Sequence, residues 1–388
     1  IYKGHYSSVT SFTALFRAQL DNWHNIYRNL YCHHCLFHSP KIEKMMQHLR
    51  YCLLLDKQSF VKLPNPGSVI EFKDFSKSVK VPFAVYADFE TIQQPTNFIL
   101  HNKQVFTKHV PSQYALYITS MIDSYKNELY CQITPNADQY FVDCLVRRLV
   151  TDKDSVYNRF YRFKKLKVPQ PPYPADQATV CSICQNSFDG ESNKVIDHCH
   201  FTGEFRGYAH SSCNLNFKDP KFIPVFFHNL SGYDSHLFIK CLTMHPAFIP
   251  DSLNVIPLTT ETYISFSARF SAGTFIGQDG KERHASIELR FLDSYRFMQD
   301  SLDNLTSNLS EHSHLSKYYP DNSLLLKKGI FPYEYMDSFE KFYDKQLPSK
   351  ERFYSRLTQK EITDEQYQHT QNVWKQYNMQ ELGQYANL

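Results

Sequence analysis

The sequence predicts an α/β protein, a mixed sheet flanked by helices, with a zinc finger ahead of it and a second small zinc module inserted within it. Three observations carry this reading. The run Pro82-Phe-Ala-Val-Tyr-Ala-Asp88-Phe-Glu90-Thr91 is rich in the residues of buried strands and ends in two carboxylates. Tyr114 to Met121 and Glu128 to Ile133 continue the strand pattern. Asp138 to Val150 then turns to helical spacing, with Phe141, Leu145 and Leu149 on one stripe. The ten cysteines include two Cys-x-x-Cys pairs with histidines and further cysteines nearby, the pattern of zinc in a reducing compartment and not of disulfides.

Composition sets the bounds. The 388 residues are enough for two or three domains, and 42% apolar with 15% aromatic content belongs to a folded chain. The longest apolar runs are too short to span a bilayer and Ile1 opens no signal-peptide pattern, so no membrane partner is expected. Because Ile1 is not Met, the chain reads as a fragment or an excised region. A net charge of +3 neither demands nor excludes nucleic acid, but basic residues cluster at Arg147-Arg148, Arg159 to Lys167 and Lys327-Lys328.

Taken in order, the chain begins with a region, 1–62, in which Ser11 to Leu20 has helical spacing. Cys32, Cys35, His48 and Cys52 follow as C-x2-C-x12-H-x3-C, close to the spacing of a ββα zinc finger. A helix from Lys41 to Tyr51 would set His48 and Cys52 one turn apart on a common face. His33, His34 and His38 read as surface residues, and Lys41, Lys44 and Arg50 could meet phosphate or serve folding alone. Leu63 to Ser68 is a linker by composition. Asp88 and Glu90 come next, two apart on a strand and so on one face. They are either an exposed acidic strand end or ligands of a divalent cation such as Mg²⁺, which prefers carboxylate oxygens.

After the Pro-rich stretch 168–174, Cys181, Cys184, His210 and Cys213 form a second tetrahedral zinc quartet. Between and beside them stand Asp197, His198, His200 and Asn214, with Thr202-Gly203 and Arg206-Gly207 in the connection. This pattern resembles the HNH (ββα-metal) nucleases, in particular the recombination endonuclease VII group, over about 35 residues. The likeness implies that His198 is a general base and that Asp197 and Asn214 serve a catalytic metal; His210 stands where that family has Cys. The alternative is a zinc-stapled insertion that cleaves nothing, and Cys199 reads as a spare thiol.

Asp219-Pro and Ile223-Pro close the insertion. Val225 to Ile239 then reads as a strand, a Gly-containing turn and a helix starting near Asp234, an aspartate that either caps the helix or ligates a metal. Asp88-Phe-Glu90 and Asn229-x3-Tyr233-Asp234 resemble the first two motifs of the 3′→5′ exonuclease domain of family B DNA polymerases. The wording His228-Asn-Leu-Ser-Gly-Tyr-Asp-Ser-His is similar to the protein-primed branch, most of all to Maverick/Polinton transposon polymerases, which also carry an upstream finger and an endonuclease VII-like insertion.

That resemblance implies an RNase H-like exonuclease fold and two-metal hydrolysis by Mg²⁺ or Mn²⁺ beside two structural Zn²⁺ ions. Asp88 would bridge both catalytic ions, with Glu90 on one and Asp234 on the other. Lys328 would stabilise charge on the scissile phosphate and Tyr333 would orient the attacking water. His228, Asn229, Tyr233 and Ser294 would hold single-stranded DNA, while Asp293 is as readily a turn residue. The implied partners are a single-stranded 3′ end or template-primer, a terminal priming protein and the polymerase C-terminal to this chain. The implied location is intracellular, and nuclear for a eukaryotic mobile element.

Ser301 to Leu309, Asp337 to Phe342, Lys350 to Leu357 and a helix capped by Thr363 and running through Tyr377 complete the chain. The organisation expected is a finger region 1–62, a first exonuclease part 78–175, the module 176–218 and a second exonuclease part 219–388. No Tyr-x3-Asp occurs in the last thirty residues, so the family's third exonuclease motif is expected beyond Leu388.

Overall fold

Two short strands, β1 (Leu30–Tyr31) and β2 (His38–Ser39), pair antiparallel across the first Cys-x-x-Cys turn, and helix α1 (Ile42–Leu54) follows them. The computed structural model describes residues 30–32, 34–35, 37–54, 75–100, 103–162, 169–188, 194–259, 262–277, 279–309, 313, 316, 323–326, 329–356 and 358–388. They belong to two units, 1–73 and 74–388. The helix expected at Ser11 to Leu20 and the linker at Leu63 to Ser68 lie outside the described residues. In the first unit Tyr31, Cys32 and Met45 are buried, which joins the strands to one face of α1.

The second unit is built on β3 (Phe83–Leu100), β4 (Lys103–Ser120), β5 (Glu128–Ile133) and α2 (Ala137–Val146). Then come β6 (Lys194–His198), β7 (Phe205–His210) and α3 (Ser211–Asn216), followed by β8 (Phe222–Phe227) and α4 (Asp234–Met244). The strands β9 (Asn254–Pro257), β10 (Tyr263–Ile276) and β11 (Glu282–Asp293) lead to α5 (Leu302–Ser307), α6 (Asp364–Gln376) and α7 (Leu382–Ala386).

Seven strands form one mixed sheet in the order β5-β4-β3-β8-β11-β10-β9. Central β8 runs parallel to both β3 and β11, and the other pairs are antiparallel. Alternation along β3 sends Phe83, Val85 and Phe89 into the core and leaves Tyr86 and Asp88 exposed. That core takes Phe141, Leu145 and Leu149 from α2 and the turn after it, and Phe238 and Leu242 from α4. A smaller apolar cluster gathers Ile92 with Met336, Phe342, Val373, Met379, Leu382 and Tyr385 from the C-terminal elements. Thr363 caps α6 in a reciprocal capping box with Gln366.

Three local expectations change. The β3–β4 hairpin extends far past the apolar runs that predicted it, because the polar outer residues pair without needing a core. Its two prolines lie at register shifts, Pro95 on β3 and Pro111 opposite Thr91, where a missing N–H is tolerated. Ile223-Pro224 lies inside β8 instead of closing the insertion, with Pro224 just before pairing to β3 begins at Val225. Among the described residues, the stretches expected as short helices near 337–342 and 350–357 contain 3₁₀ turns, Phe339–Tyr343 and Lys350–Phe353.

Candidate metal centres and nucleic-acid site

The two Cys/His quartets converge. Cys32, Cys35, His48 and Cys52 bring their ligand atoms within 4.8 Å of one another, and Cys181, Cys184, His210 and Cys213 do the same. In the finger, Cys35 Sγ lies 3.1 Å from His48 Nε2 and Cys32 Sγ 3.9 Å from Cys52 Sγ. Phe37 stacks on the His48 ring at 4.3 Å and so fixes its orientation. Burial opposes ionisation of Cys32, but backbone N–H groups of Cys35 and His34 bring its thiol down to about 6. His33 lies outside the described residues.

The second quartet repeats the design. Burial again opposes the Cys181 thiolate, and backbone N–H groups of Cys184, His210 and Ile183 lower its pKa to about 7. His210 turns Nδ1 towards Cys184 Sγ at 3.5 Å, while Nε2 lies 3.2 Å from the Ser187 carbonyl. A proton held on Nε2 leaves the Nδ1 lone pair for a metal. Gly207 approaches the first knuckle so closely that a Cβ there would meet Ser182 Cβ at 2.6 Å, and its φ of +149° disfavours a side chain as well. Soft sulfur and imidazole donors in four-fold groups suit zinc.

The oxygen-rich site lies past the ends of β8 and β11, beside the middle of β3. On β3, Tyr86, Asp88 and Glu90 alternate onto the face opposite the main core. Asp234, buried at 4% exposure, is the first residue of α4. The loop before it adopts φ +75° at Asn229, and a Cβ on Gly232 would meet Asn229 Oδ1 at 2.7 Å. Asp293, at the end of β11, pins this loop. Its carboxylate accepts from the backbone N–H of Asn229 (2.9 Å), Ser231 (3.0 Å) and Tyr295 (3.1 Å) and from the Ser231 hydroxyl (2.7 Å). Burial opposes its charge, but these donors hold Asp293 below the usual carboxylate range. Asp293 is therefore a turn residue with a defined task.

Asp234 has the opposite environment. Burial first, then the charges of Asp88, Glu90 and Asp293, push its carboxyl up to about 8. Tyr333 directs its hydroxyl to Glu90 Oε1 at 3.5 Å, and burial together with Glu90 and Asp88 raises its phenol. Asp88, Glu90, Asp234 and Tyr333 thus share one electrostatic site. Their carboxylates do not crowd as the zinc ligands do: among the described residues, only the two Cys/His quartets bring three or more ligand atoms within 4.8 Å. Lys328 lies outside the described residues.

Around the carboxylates the polar atoms are largely spent within the protein. The Tyr233 hydroxyl lies 2.6 Å from Thr91 Oγ1 and 2.7 Å from His109 Nδ1. His228 holds Ser294 Oγ through Nδ1 (2.9 Å) and the Asp300 carbonyl through Nε2 (2.9 Å), and Ser294 also donates to the Phe227 carbonyl at 3.0 Å. Beside them Tyr86 stacks on Phe226 at 5.5 Å, Phe226 meets Phe297 edge-on at 6.1 Å, and Tyr295 meets His228 at 5.5 Å. Tyr86, Tyr295 and Phe297 are exposed. Sequence reading missed His109 and this aromatic row; the signal available was Tyr86, two residues before Asp88 and on the same strand face.

In the inserted module β6 and β7 pair antiparallel, and α3 follows directly to give a ββα unit. Residues 169–225 match the family model of recombination endonuclease VII. The insertion is endonuclease VII-like. No curated protein and no solved structure gives a match. In this endonuclease VII-like module Asp197 is buried at 2% exposure and held by Arg206, whose Nη2 donates to Oδ1 at 2.7 Å and Nε to Oδ2 at 3.1 Å. His200 Nδ1 lies 3.1 Å from Asp219 Oδ2, and its ring stands 5.1 Å from that of His198. Asn214 lies on α3 between Cys213 and the helix end. Asp197 is thus engaged by a guanidinium, and His200 by a carboxylate that the sequence did not single out.

Proposed function

We propose that the sheet unit is the 3′→5′ exonuclease region of a protein-primed, family B DNA polymerase, with an RNase H-like fold. The observation that carries this reading is that Tyr333 reaches Glu90 at 3.5 Å and that β3 pairs with β8, the strand leading to Asp234, so that three distant segments meet beside the Asp234 carboxyl, whose pKa burial and Asp88 raise. A buried carboxyl set beside the exposed Asp88 and half-buried Glu90 is a set of like charges that a cation would relieve, and hard oxygen donors suit Mg²⁺ or Mn²⁺. Asp88, Glu90 and Asp234 would hold two such ions, which supply charge stabilisation to the attacking and leaving oxygens of the 3′-terminal phosphodiester.

The chain's own groups do the rest. Tyr333, donating to Glu90, would stand beside the attacking water and orient it. The exposed Tyr86, Tyr295 and Phe297 offer faces on which bases of a single strand stack, at about 1–3 kcal/mol per base and without sequence preference. Ser294 and His228, bonded to each other, would shape the floor beneath the strand. Lys328 remains the proposed cation for the scissile phosphate. The remaining partners in this reading are a terminal priming protein and the rest of the polymerase.

The test is degradation of a 5′-labelled single strand with Mg²⁺ or Mn²⁺. Asp88→Ala and Asp234→Ala should each lower the rate by on the order of a hundredfold or more. Equal rates in wild type and both variants would sink the proposal.

A second reading is favoured by the family match at 169–225: the module nicks duplex DNA with His198 as base. Nicking of supercoiled plasmid that survives Asp88→Ala and disappears in His198→Ala would establish it. Loss in Asp88→Ala with retention in His198→Ala would assign the cleavage to the sheet instead.

A further inference from the structure

The Tyr233 hydroxyl stands among groups that no exonuclease chemistry requires. Tyr233 immediately precedes α4, with φ −147° and ψ −70°, and its side chain does not cap the helix. The ring reaches the β3–β4 hairpin instead. There its hydroxyl lies 2.6 Å from Thr91 Oγ1 and 2.7 Å from His109 Nδ1, and those two atoms are 3.3 Å apart. The imidazole also meets the phenol ring edge-on at 5.6 Å. Thr91 follows Glu90 directly across a register shift, and His109 sits on β4 opposite Gln93. One hydroxyl therefore ties the residue before Asp234 to the residue after Glu90, and His109 closes the tie from the neighbouring strand.

Thr91 is buried, whereas His109 is exposed at the rim. Without His109 the bond to Thr91 would remain, so α4 would stay in place. The phenol ring would lose one of its two polar anchors and its edge-on neighbour. The consequence falls on the orientation of the ring at the rim, not on the carboxylates.

We infer that His109 is a positioning residue for the exonuclease site: it holds the Tyr233 ring in the orientation that receives the terminal nucleotide of a single-stranded 3′ end. The inference rests on the exonuclease reading above and adds to it a residue outside its motifs. Because His109 acts through Tyr233, its loss should raise KM and leave kcat nearly unchanged. One hydrogen bond of ordinary strength corresponds to about a two- to tenfold change.

The experiment measures kcat and KM for a 5′-labelled single strand with Mn²⁺ in wild type, His109→Leu, His109→Asn, Tyr233→Phe and the His109→Leu/Tyr233→Phe pair. Thermal midpoints are recorded for all five. Asn places a polar atom where Nδ1 stands, so His109→Asn should recover most of the KM lost in His109→Leu. In the Tyr233→Phe background His109→Leu should have little further effect, since the hydroxyl it held is gone. An unchanged KM in His109→Leu, with wild type active, overturns the inference and leaves the exonuclease reading standing. So does a fall in kcat and thermal midpoint that Asn does not rescue, which would mark a merely structural histidine. A full-length polypeptide that degrades no 3′ end removes the exonuclease reading and this inference with it.

Discussion

Asp197 and Asp234 are both carboxylates taken out of water, at 2% and 4% exposure, yet their neighbours differ in sign. Asp197 faces a guanidinium that forks onto both its oxygens. Asp234 faces Asp88 and Glu90, and among the described residues no lysine or arginine pairs with it. The first is neutralised from within the chain. The second has its pKa raised to about 8 by burial and by Asp88, Glu90 and Asp293. The contrast is what the proposed metal site predicts: an acid matched by its own protein on one side, an acid set against other acids on the other.

The widest separation of the two regions comes from zinc. The chain should carry two zinc ions, one per quartet, and Cys213→Ser should lose one of them by elemental analysis. Structural zinc contributes roughly 10 kcal/mol to such modules, so the segment around Asp197 and Arg206 should lose its fold. Degradation of a 3′ end should persist, because Asp88 and Asp234 draw on the sheet. Collapse of the whole sheet unit in Cys213→Ser would show that the two regions are not energetically separate.

Asp234→Asn tests the other half. The group's pKa rises from an ordinary 3.8 to about 8 on folding, so the fold binds a proton that the unfolded chain has released. The sign follows: the destabilisation is absent below about pH 4, grows as pH rises to about 8 and stays constant above. At about 1.4 kcal/mol per pKa unit its ceiling is about 6 kcal/mol. Without added Mg²⁺, Asp234→Asn should therefore raise the thermal midpoint by several degrees at pH 8.5 and hardly at all at pH 4. Mn²⁺ or Mg²⁺ should stabilise wild type at pH 8.5 and stabilise Asp234→Asn less. A variant less stable than wild type at pH 8.5 would mean that Asp234 is already compensated by protein groups.

These contrasts were unequally visible in the sequence. Cys181 with Cys184, and His210 with Cys213, are read from spacing alone, because zinc takes its ligands in short pairs from adjacent turns. Asp88 and Glu90 were visible as a pair on one face, and Asp234 as a helix start. Their meeting was not, since it depends on β3 and β8 pairing at Val85–Val225 and Tyr86–Phe226. His109 escaped entirely. It lies in a polar stretch without apolar alternation, and only the shifted register of the hairpin carries it to Thr91 and Tyr233. Ser294, which the resemblance sets beside DNA, has its hydroxyl bonded to His228 and the Phe227 carbonyl. Burial of a hydroxyl depends on what crosses above it, and no local pattern encodes that.

Arg206→Ala is the narrowest test, because it makes Asp197 resemble Asp234. Removing one partner of a buried pair costs about 3–5 kcal/mol, and less here since Arg206 is itself 25% exposed. Arg206 also reaches Asp219 at 3.7 Å and lies over the Phe217 ring at 4.9 Å, so part of the loss is packing. Adding Asp197→Asn separates the two, because it removes the stranded charge and leaves the packing defect. The double variant should recover roughly half the fall in thermal midpoint of Arg206→Ala. Asp197 freed in this way would be available as an oxygen donor beside His198. If the module is a nuclease held in check by its own ion pair, Arg206→Ala should nick plasmid faster with Mn²⁺, and Asp197→Asn should abolish the gain. If stability falls and no nicking appears at any Mn²⁺ concentration, Asp197 serves the module's shape. The divalent-ion chemistry of the chain would then belong to the sheet.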